Sequence, residues 1–162
     1  MSWLFNDLPI HILLVHAIVV AVPVAALCLV LAVSWPEARR RLGVVTPLLA
    51  LASLVGVPIT TEAGEALEEQ VNESALSELH GHLGKDLLPW VIALFVVALV
   101  QWVWFRFFTG KGRFAGLISS RTLRIVVTVV LIVVAVGIAV GASVETYIIG
   151  ESGARAVWSS RV

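Results

Sequence analysis

The chain contains almost no cysteine and relatively little charge. Cys28 is the only cysteine in 162 residues, which excludes an intramolecular disulfide and a metal-binding thiolate cluster. Charged residues make up 14% of the sequence, and eleven basic residues balance eleven acidic ones. A phosphate-cradling glycine loop, a nucleophile elbow and a paired cysteine motif are all missing. The sequence therefore favours a non-enzymatic role and gives no support to nucleic-acid binding.

Long hydrophobic runs occupy most of the sequence instead. Hydrophobic residues make up 59% of it and the mean hydropathy is +1.00, against about 45–50% apolar residues in a typical soluble domain. About 20 apolar residues cross a bilayer core, with roughly 17 as the minimum. Four runs reach that length, at about 8–35, 43–61, 87–106 and 124–143. We expect an all-α fold: one domain over residues 1–162, forming an antiparallel four-helix bundle in a membrane.

The first run, and the connection between the second and third runs, carry further expectations. The first run is too long for a signal-peptide core and no basic residue precedes it, so we expect it to be retained. Between the second and third runs, residues 62–86 form an acidic segment with an apolar residue at every fourth position, from Leu67 to Leu83. This period predicts a helical hairpin that extends helices 2 and 3 beyond the membrane. The alternative is an amphipathic segment lying on the outer surface.

The charged residues are divided between the two ends of the predicted spans. Arg39, Arg40 and Arg41 join spans one and two, and five more basic residues flank the connection between spans three and four: Arg106, Lys111, Arg113, Arg121 and Arg124. Ten of the eleven acidic residues lie at the other end. Cytoplasmic loops are enriched in Lys and Arg. We therefore expect a multi-pass protein of a bacterial plasma membrane, with both termini outside and the basic loops in contact with anionic lipid headgroups.

Six ionisable residues are predicted to share one layer near the outer ends of the helices. At about 1.5 Å per helical residue they lie roughly 29–39 Å from the cytoplasmic helix ends. The six residues are His11, His16, His80, Glu62, Glu65 and Glu145. His82 differs from the other histidines, because Glu78, Lys85 and Asp86 surround it at helical spacing. We predict that His82 is a surface residue.

An ionisable group inside a membrane helix raises a functional hypothesis by default, and His16 lies among valine and isoleucine residues. It could be a neutral histidine bonded to a carbonyl or to Thr60, a ligand to haem or metal, or a proton-relay group. His11, His16 and His80 are the candidate ligands of haem b. Together with Glu62, Glu65 and Glu145 they form the candidate ligand set for zinc or non-haem iron.

The segment from Pro9 to Ala17 contains the pattern H-x-x-x-V-H, from His11 to His16, and it resembles the opening of a bacterial membrane family, domain of unknown function 2231. The family's histidine before its third helix resembles His80, and its Gly-rich, Tyr-containing close resembles the segment 147–153. The segments 60–65 and 150–158 are most similar to actinobacterial members. The resemblance implies a four-helix membrane unit, His11, His16 and His80 as matching positions, and an electron-transfer context. Ala17 and Ile18 depart from the Phe-Pro that often follows the second histidine.

Three classes of function remain open. The first is a haem- or metal-binding membrane subunit in electron transfer or cofactor handling. The second is an interaction or assembly subunit with membrane, redox or self partners, which would use Gly137, Gly141 and the aromatic segment 102–105 as contacts. The third is a proton or small-solute pathway, although Ser53, Gln101 and Thr128 are sparse and internal repeats are not evident.

Overall fold

The computed structural model describes residues 4–5, 8–68, 75–110 and 112–158, and these are almost entirely helical. Two short strands, β1 (Leu4–Phe5) and β2 (Leu8–Pro9), pair antiparallel before the first helix. Five α-helices follow: α1 (Ile10–Ser34), α2 (Pro36–Leu42), α3 (Val45–Glu68), α4 (Ala75–Val103) and α5 (Arg121–Trp158). A π-helical turn (Trp104–Phe108) extends α4, and a 3-10 turn (Ala115–Leu117) precedes α5. The predicted helical class is confirmed.

Four of the helices are long and apolar enough to cross a membrane. They cover Ile10–Ser34, Val45–Leu67, Leu79–Phe108 and Arg121–Arg155 among the described residues. Each overlaps one predicted span, and this pattern is typical of a multi-pass membrane protein. Three helices reach beyond the predicted limits: α3 continues to Glu68, α4 begins at Ala75 and α5 continues to Trp158. The turn of the predicted acidic hairpin, residues 69–74, lies outside the described residues.

Each long helix packs against two others. α1 contacts α3 and α5, α4 contacts the same two helices, and α1 and α4 touch more sparsely. Small side chains line the centre of this arrangement, where five alanines are fully buried: Ala25, Ala50, Ala98, Ala135 and Ala142. Small residues allow helix backbones to approach closely, which is the usual basis of packing between membrane helices. Larger buried side chains, including Leu29 and Leu94, fill the remaining space.

The outer surface of the helices is also apolar. Val20 is 62% exposed and Val133 is 66% exposed, and valines and isoleucines follow one another around α5. Monomeric soluble proteins rarely expose apolar patches beyond a few hundred Å². The exposed surface therefore suits contact with the hydrocarbon of a lipid bilayer, as the sequence predicts.

The corner between α1 and α3 is formed by the short helix α2. Pro36 occupies the first turn of α2, where its missing N–H costs nothing. Arg39 reaches back to the end of α1, where its Nε and Nη2 donate to the carbonyl oxygens of Ala32 and Val33, both at 2.7 Å. After α2, Gly43 has φ of 47°, a left-handed value that favours glycine. These contacts place the three arginines 39–41 together at one end of the helices.

The two glycines of α5 that were expected to admit a neighbouring helix differ in their surroundings. A Cβ at Gly141 would overlap the indole ring of Trp90 on α4, so this glycine is needed for the α4–α5 contact. A Cβ at Gly137 would meet no atom within 4 Å among the described residues. The prediction of close helix approach is therefore confirmed at Gly141 and wrong for this chain's own helices at Gly137.

Gly141→Ala should destabilise the protein by about 1–3 kcal/mol, because overpacking forces Trp90 and the backbone to shift. The matched change Gly137→Ala on the same helix should be neutral or stabilising by about 0.5–1 kcal/mol, the helix preference of alanine over glycine. Thermal unfolding of both variants in the same detergent measures the difference. Equal melting temperatures would contradict the α4–α5 contact.

Candidate histidine sites

His11 lies between α1 and α3. Its Nδ1 is 3.0 Å from the carbonyl oxygen of Thr60, and because a carbonyl can only accept, Nδ1 carries the hydrogen. The neutral ring then has its lone pair on Nε2. The ring lies over Gly64, where an added Cβ would be 2.9 Å from the ring carbon Cε1. The absence of a side chain at Gly64 therefore allows the ring to rest against α3.

His80 occupies an equivalent position between α4 and α5. Its Nδ1 is 2.8 Å from the Ser152 hydroxyl oxygen, which is itself 2.8 Å from the carbonyl oxygen of Ile149. Since that carbonyl only accepts, Ser152 donates to it and accepts from Nδ1–H of His80. A Cβ at Gly153 would lie 3.0 Å from Cε1 of the ring. Both His11 and His80 therefore rest on a glycine of the neighbouring helix and have the same tautomer.

His16 is exposed and bonds within its own helix. Its Nδ1 is 2.6 Å from the carbonyl oxygen of Ile12, one turn earlier on α1, so this ring also has its lone pair on Nε2. The sequence offered Thr60 as one partner for His16. In the structure the Thr60 carbonyl is bonded to His11 instead, and the His11 ring lies against α3 at Gly64. His82 is exposed as well, at a position surrounded by polar residues.

An open groove lies between α1 and α5 on the side where His16 is found. Its volume is about 450 Å³, within the roughly 300–1,000 Å³ typical of ligand pockets. Val19 and Pro23 line it from α1, and they follow His16 by three and seven residues, which places all three on one face of the helix. The α5 side contributes Ser143, Thr146, Tyr147, Gly150 and Glu151. A Cβ at Gly150 would meet no described atom within 4 Å, so this part of the groove is wide.

The three candidate glutamates differ in exposure and in partners. Glu65 forms an ion pair with Lys85 across α3 and α4, at 2.8 Å, and both side chains are more than half exposed. Glu62 is exposed and Glu145 is half-buried. Within residues 4–5, 8–68, 75–110 and 112–158, no group of three or more His, Cys, Asp or Glu could hold a metal ion. Among the described residues, the structure therefore does not gather the six predicted residues into one metal site.

Sequence reasoning missed Ser152, Gly64 and Gly153 as residues that position histidines. Their signal was weak: a serine followed by glycine near the end of α5, and a glycine two residues after Glu62. Neither pattern shows which histidine it faces, because that depends on how two helices are aligned along their length.

Comparison of the chain with protein-family models, with curated proteins and with solved structures finds no match. The likeness of the His11–His16 segment to a known family therefore remains a prediction, and the functional argument depends on the geometry of the sites.

Ser152→Ala should remove the acceptor of the His80 Nδ1–H and so lower the share of the Nδ1–H tautomer in the neutral ring. Loss of this bond should cost about 1 kcal/mol of stability. Two-bond ¹⁵N–¹H correlation spectra of the histidine rings, recorded above the pKa range of histidine, report the tautomer directly.

The matched control is Ser143→Ala on the same helix, where the hydroxyl donates to the Ala139 carbonyl and no histidine is involved. His11 should retain the Nδ1–H tautomer in both variants. An unchanged His80 spectrum in Ser152→Ala would refute the assigned hydrogen bond.

Proposed function

We propose that this chain is a multi-pass protein of a bacterial plasma membrane that binds haem b in the α1–α5 groove, with His16 as an iron ligand. Its four long helices form an antiparallel bundle with both termini outside and the arginine-rich end in the cytoplasm. Bound haem would supply one-electron redox chemistry, in an electron-transfer or cofactor-handling context. The residues of the groove would bind and orient the haem.

The helix contacts support the antiparallel arrangement. On α1 and α3, His11 contacts Gly64 while Ile18, further along α1, contacts the earlier residue Gly56. On α4 and α5, His80 contacts Gly153 while Trp90 contacts the earlier residue Gly141. These contacts are the ones expected if each pair of helices runs in opposite directions. The arginines of α2 and of the start of α5 lie at one end of the helices. Because cytoplasmic loops are enriched in basic residues, we propose that this end faces the cytoplasm.

The position of His16 carries the haem proposal. Its side chain is exposed, and the bond from Nδ1 to the Ile12 carbonyl leaves Nε2 as the nitrogen that would bind iron. It shares a helix face with Val19 and Pro23, which line an apolar groove of suitable volume. Haem ligation requires a histidine and an apolar slot, and this combination occurs on one side of α1.

A zinc or non-haem iron site is less well supported by the same residues. Such sites need three or more protein ligands around one ion. The described residues contain no such group, and Glu65 is engaged with Lys85. The donor set therefore fits haem better than a bare metal ion.

The alternative role as an assembly subunit loses part of its basis. The aromatic end of α4 forms contacts within the chain: Trp102 meets Phe107 edge-on with ring centroids 5.8 Å apart, and Trp104 stacks on Phe108 at 5.9 Å. These rings are therefore used in the chain's own fold.

A proton pathway is also weakly supported, because the hydroxyls of Ser53, Thr60 and Thr146 donate to carbonyls of their own helices.

Protein purified in mild detergent should show a Soret band that shifts on reduction, and His16→Ala should remove most of it because the iron loses its ligand. His82→Ala is the matched control, since His82 is an exposed histidine at a distance in sequence from the groove. Visible spectra, with haem and elemental analysis of the same samples, measure the occupancy.

A second pair of variants tests the groove without altering any histidine. Gly150→Leu should fill the groove and exclude haem, whereas Gly137→Leu on the same helix lies away from the groove lining and should retain it. A folded wild-type protein that stays colourless after haem is added would overturn the proposal and favour the assembly role.

A further inference from the structure

A second groove lies at the arginine-rich end, between α2, the end of α4 and the start of α5. Its volume is about 470 Å³. Three arginines and three apolar residues form most of its lining: Arg39, Arg121, Arg124, Phe105, Ile125 and Val129. The haem proposal uses none of these residues, so what this groove binds does not depend on haem binding.

The positive charge of this groove is not compensated by carboxylates. Glu37 is the acidic residue at this end of the helices. It forms ion pairs with Arg40 and with Arg41, the latter at 3.5 Å. Among the described residues, no carboxylate lies within ion-pair distance of Arg121 or Arg124. Guanidinium groups that converge without a counter-charge favour an anion, and their planar N–H groups match the oxygens of phosphate.

Arg39 forms a fixed wall of the groove. Its Nε and Nη2 are held by the carbonyls at the end of α1, and its Cζ lies 3.2 Å above the centroid of the Phe105 ring. Burial lowers the pKa of Arg39, although a guanidinium stays protonated in proteins. Its remaining N–H groups are available to an acceptor in the groove.

The hydroxyls of the groove do not serve as anion donors in this arrangement. Thr109 donates to the Phe105 carbonyl at 3.1 Å, and Thr128 donates to the Arg124 carbonyl at 2.8 Å. The arginines are therefore the groups that would bind an anion. The groove also includes the first turn of α5, where the positive end of the helix dipole adds to the attraction.

The polarity of the groove changes along α5. Arg121 and Arg124 come first, and Ile125 and Val129 follow on the same helix face, at the start of the apolar part of α5. Both apolar side chains are exposed. Charge at one end and exposed hydrocarbon at the other match the two parts of a phospholipid.

We propose that this groove binds the phosphate of an anionic phospholipid headgroup through Arg39, Arg121 and Arg124, with an acyl chain lying over Ile125 and Val129. Free inorganic phosphate offers the same anionic oxygens but has no acyl chain. It would use the arginines alone.

The test is a thermal-shift titration of the detergent-purified full chain with phosphatidylglycerol, phosphatidylcholine or inorganic phosphate. Phosphatidylglycerol should raise the melting temperature, and phosphatidylcholine should not. The double variant Arg121→Gln with Arg124→Gln should weaken the apparent affinity by at least about tenfold, because two charge-assisted contacts are lost. The matched control Arg40→Gln with Arg41→Gln removes the same charge at the same end, and it should retain the affinity.

Equal losses in the two double variants, or equal stabilisation by phosphatidylcholine, would overturn the proposal, since either result reflects general attraction or hydrophobic contact. Equal stabilisation by inorganic phosphate would support the anion site and identify the free ion as its ligand. Arg124→Lys keeps the charge but loses the planar fork, so a weaker affinity in this milder variant supports the site even where the double variant does not fold. Unchanged affinity in Arg124→Lys would count against it.

Discussion

Polar groups in apolar surroundings must find their partners within the chain, and much of this structure follows from that constraint. The buried hydroxyls of Ser53, Thr60 and Thr146 donate to carbonyls of their own helices. The histidine rings obey the same rule, because Nδ1–H of His11 and His16 donates to a backbone carbonyl. Once that hydrogen is placed, the lone pair of the neutral ring must be on Nε2. The need to satisfy one donor therefore prepares the opposite nitrogen for a ligand.

Close helix contact is the second condition for the histidine sites. His11 and His80 each reach a partner on another helix only because Gly64 and Gly153 present bare backbone to the ring. Gly141 admits the indole of Trp90 in the same way, between α4 and α5. Glycine costs helix stability in water, but in a membrane the packing it permits offsets that loss. The placement of His11 and His80 and the packing of their helices thus depend on the same kind of small residue.

The sequence predicted those properties that depend on length and on charge along the chain. Four apolar helices, and a basic end opposite the histidines, could be derived because hydropathy and charge are local quantities. Which helices are neighbours could not be derived. α5 is apolar on all sides, so its sequence does not indicate which face meets α4, and the contact of His80 with Ser152 remained hidden. Heights estimated from helix rise placed Glu65 in a histidine layer, but a height does not identify a partner, and the structure pairs Glu65 with Lys85.

The two grooves lie near opposite ends of the helices, and exposed side chains contribute to the lining of both. Tyr147 is 70% exposed on one groove, and Ile125 is 53% exposed on the other. Both grooves combine apolar and polar lining residues, and both proposed ligands are accordingly amphiphiles. The polar groups then distinguish between them. A neutral imidazole with its lone pair on Nε2 suits a metal centre within an apolar ring system, whereas unpaired guanidinium groups suit an anionic headgroup.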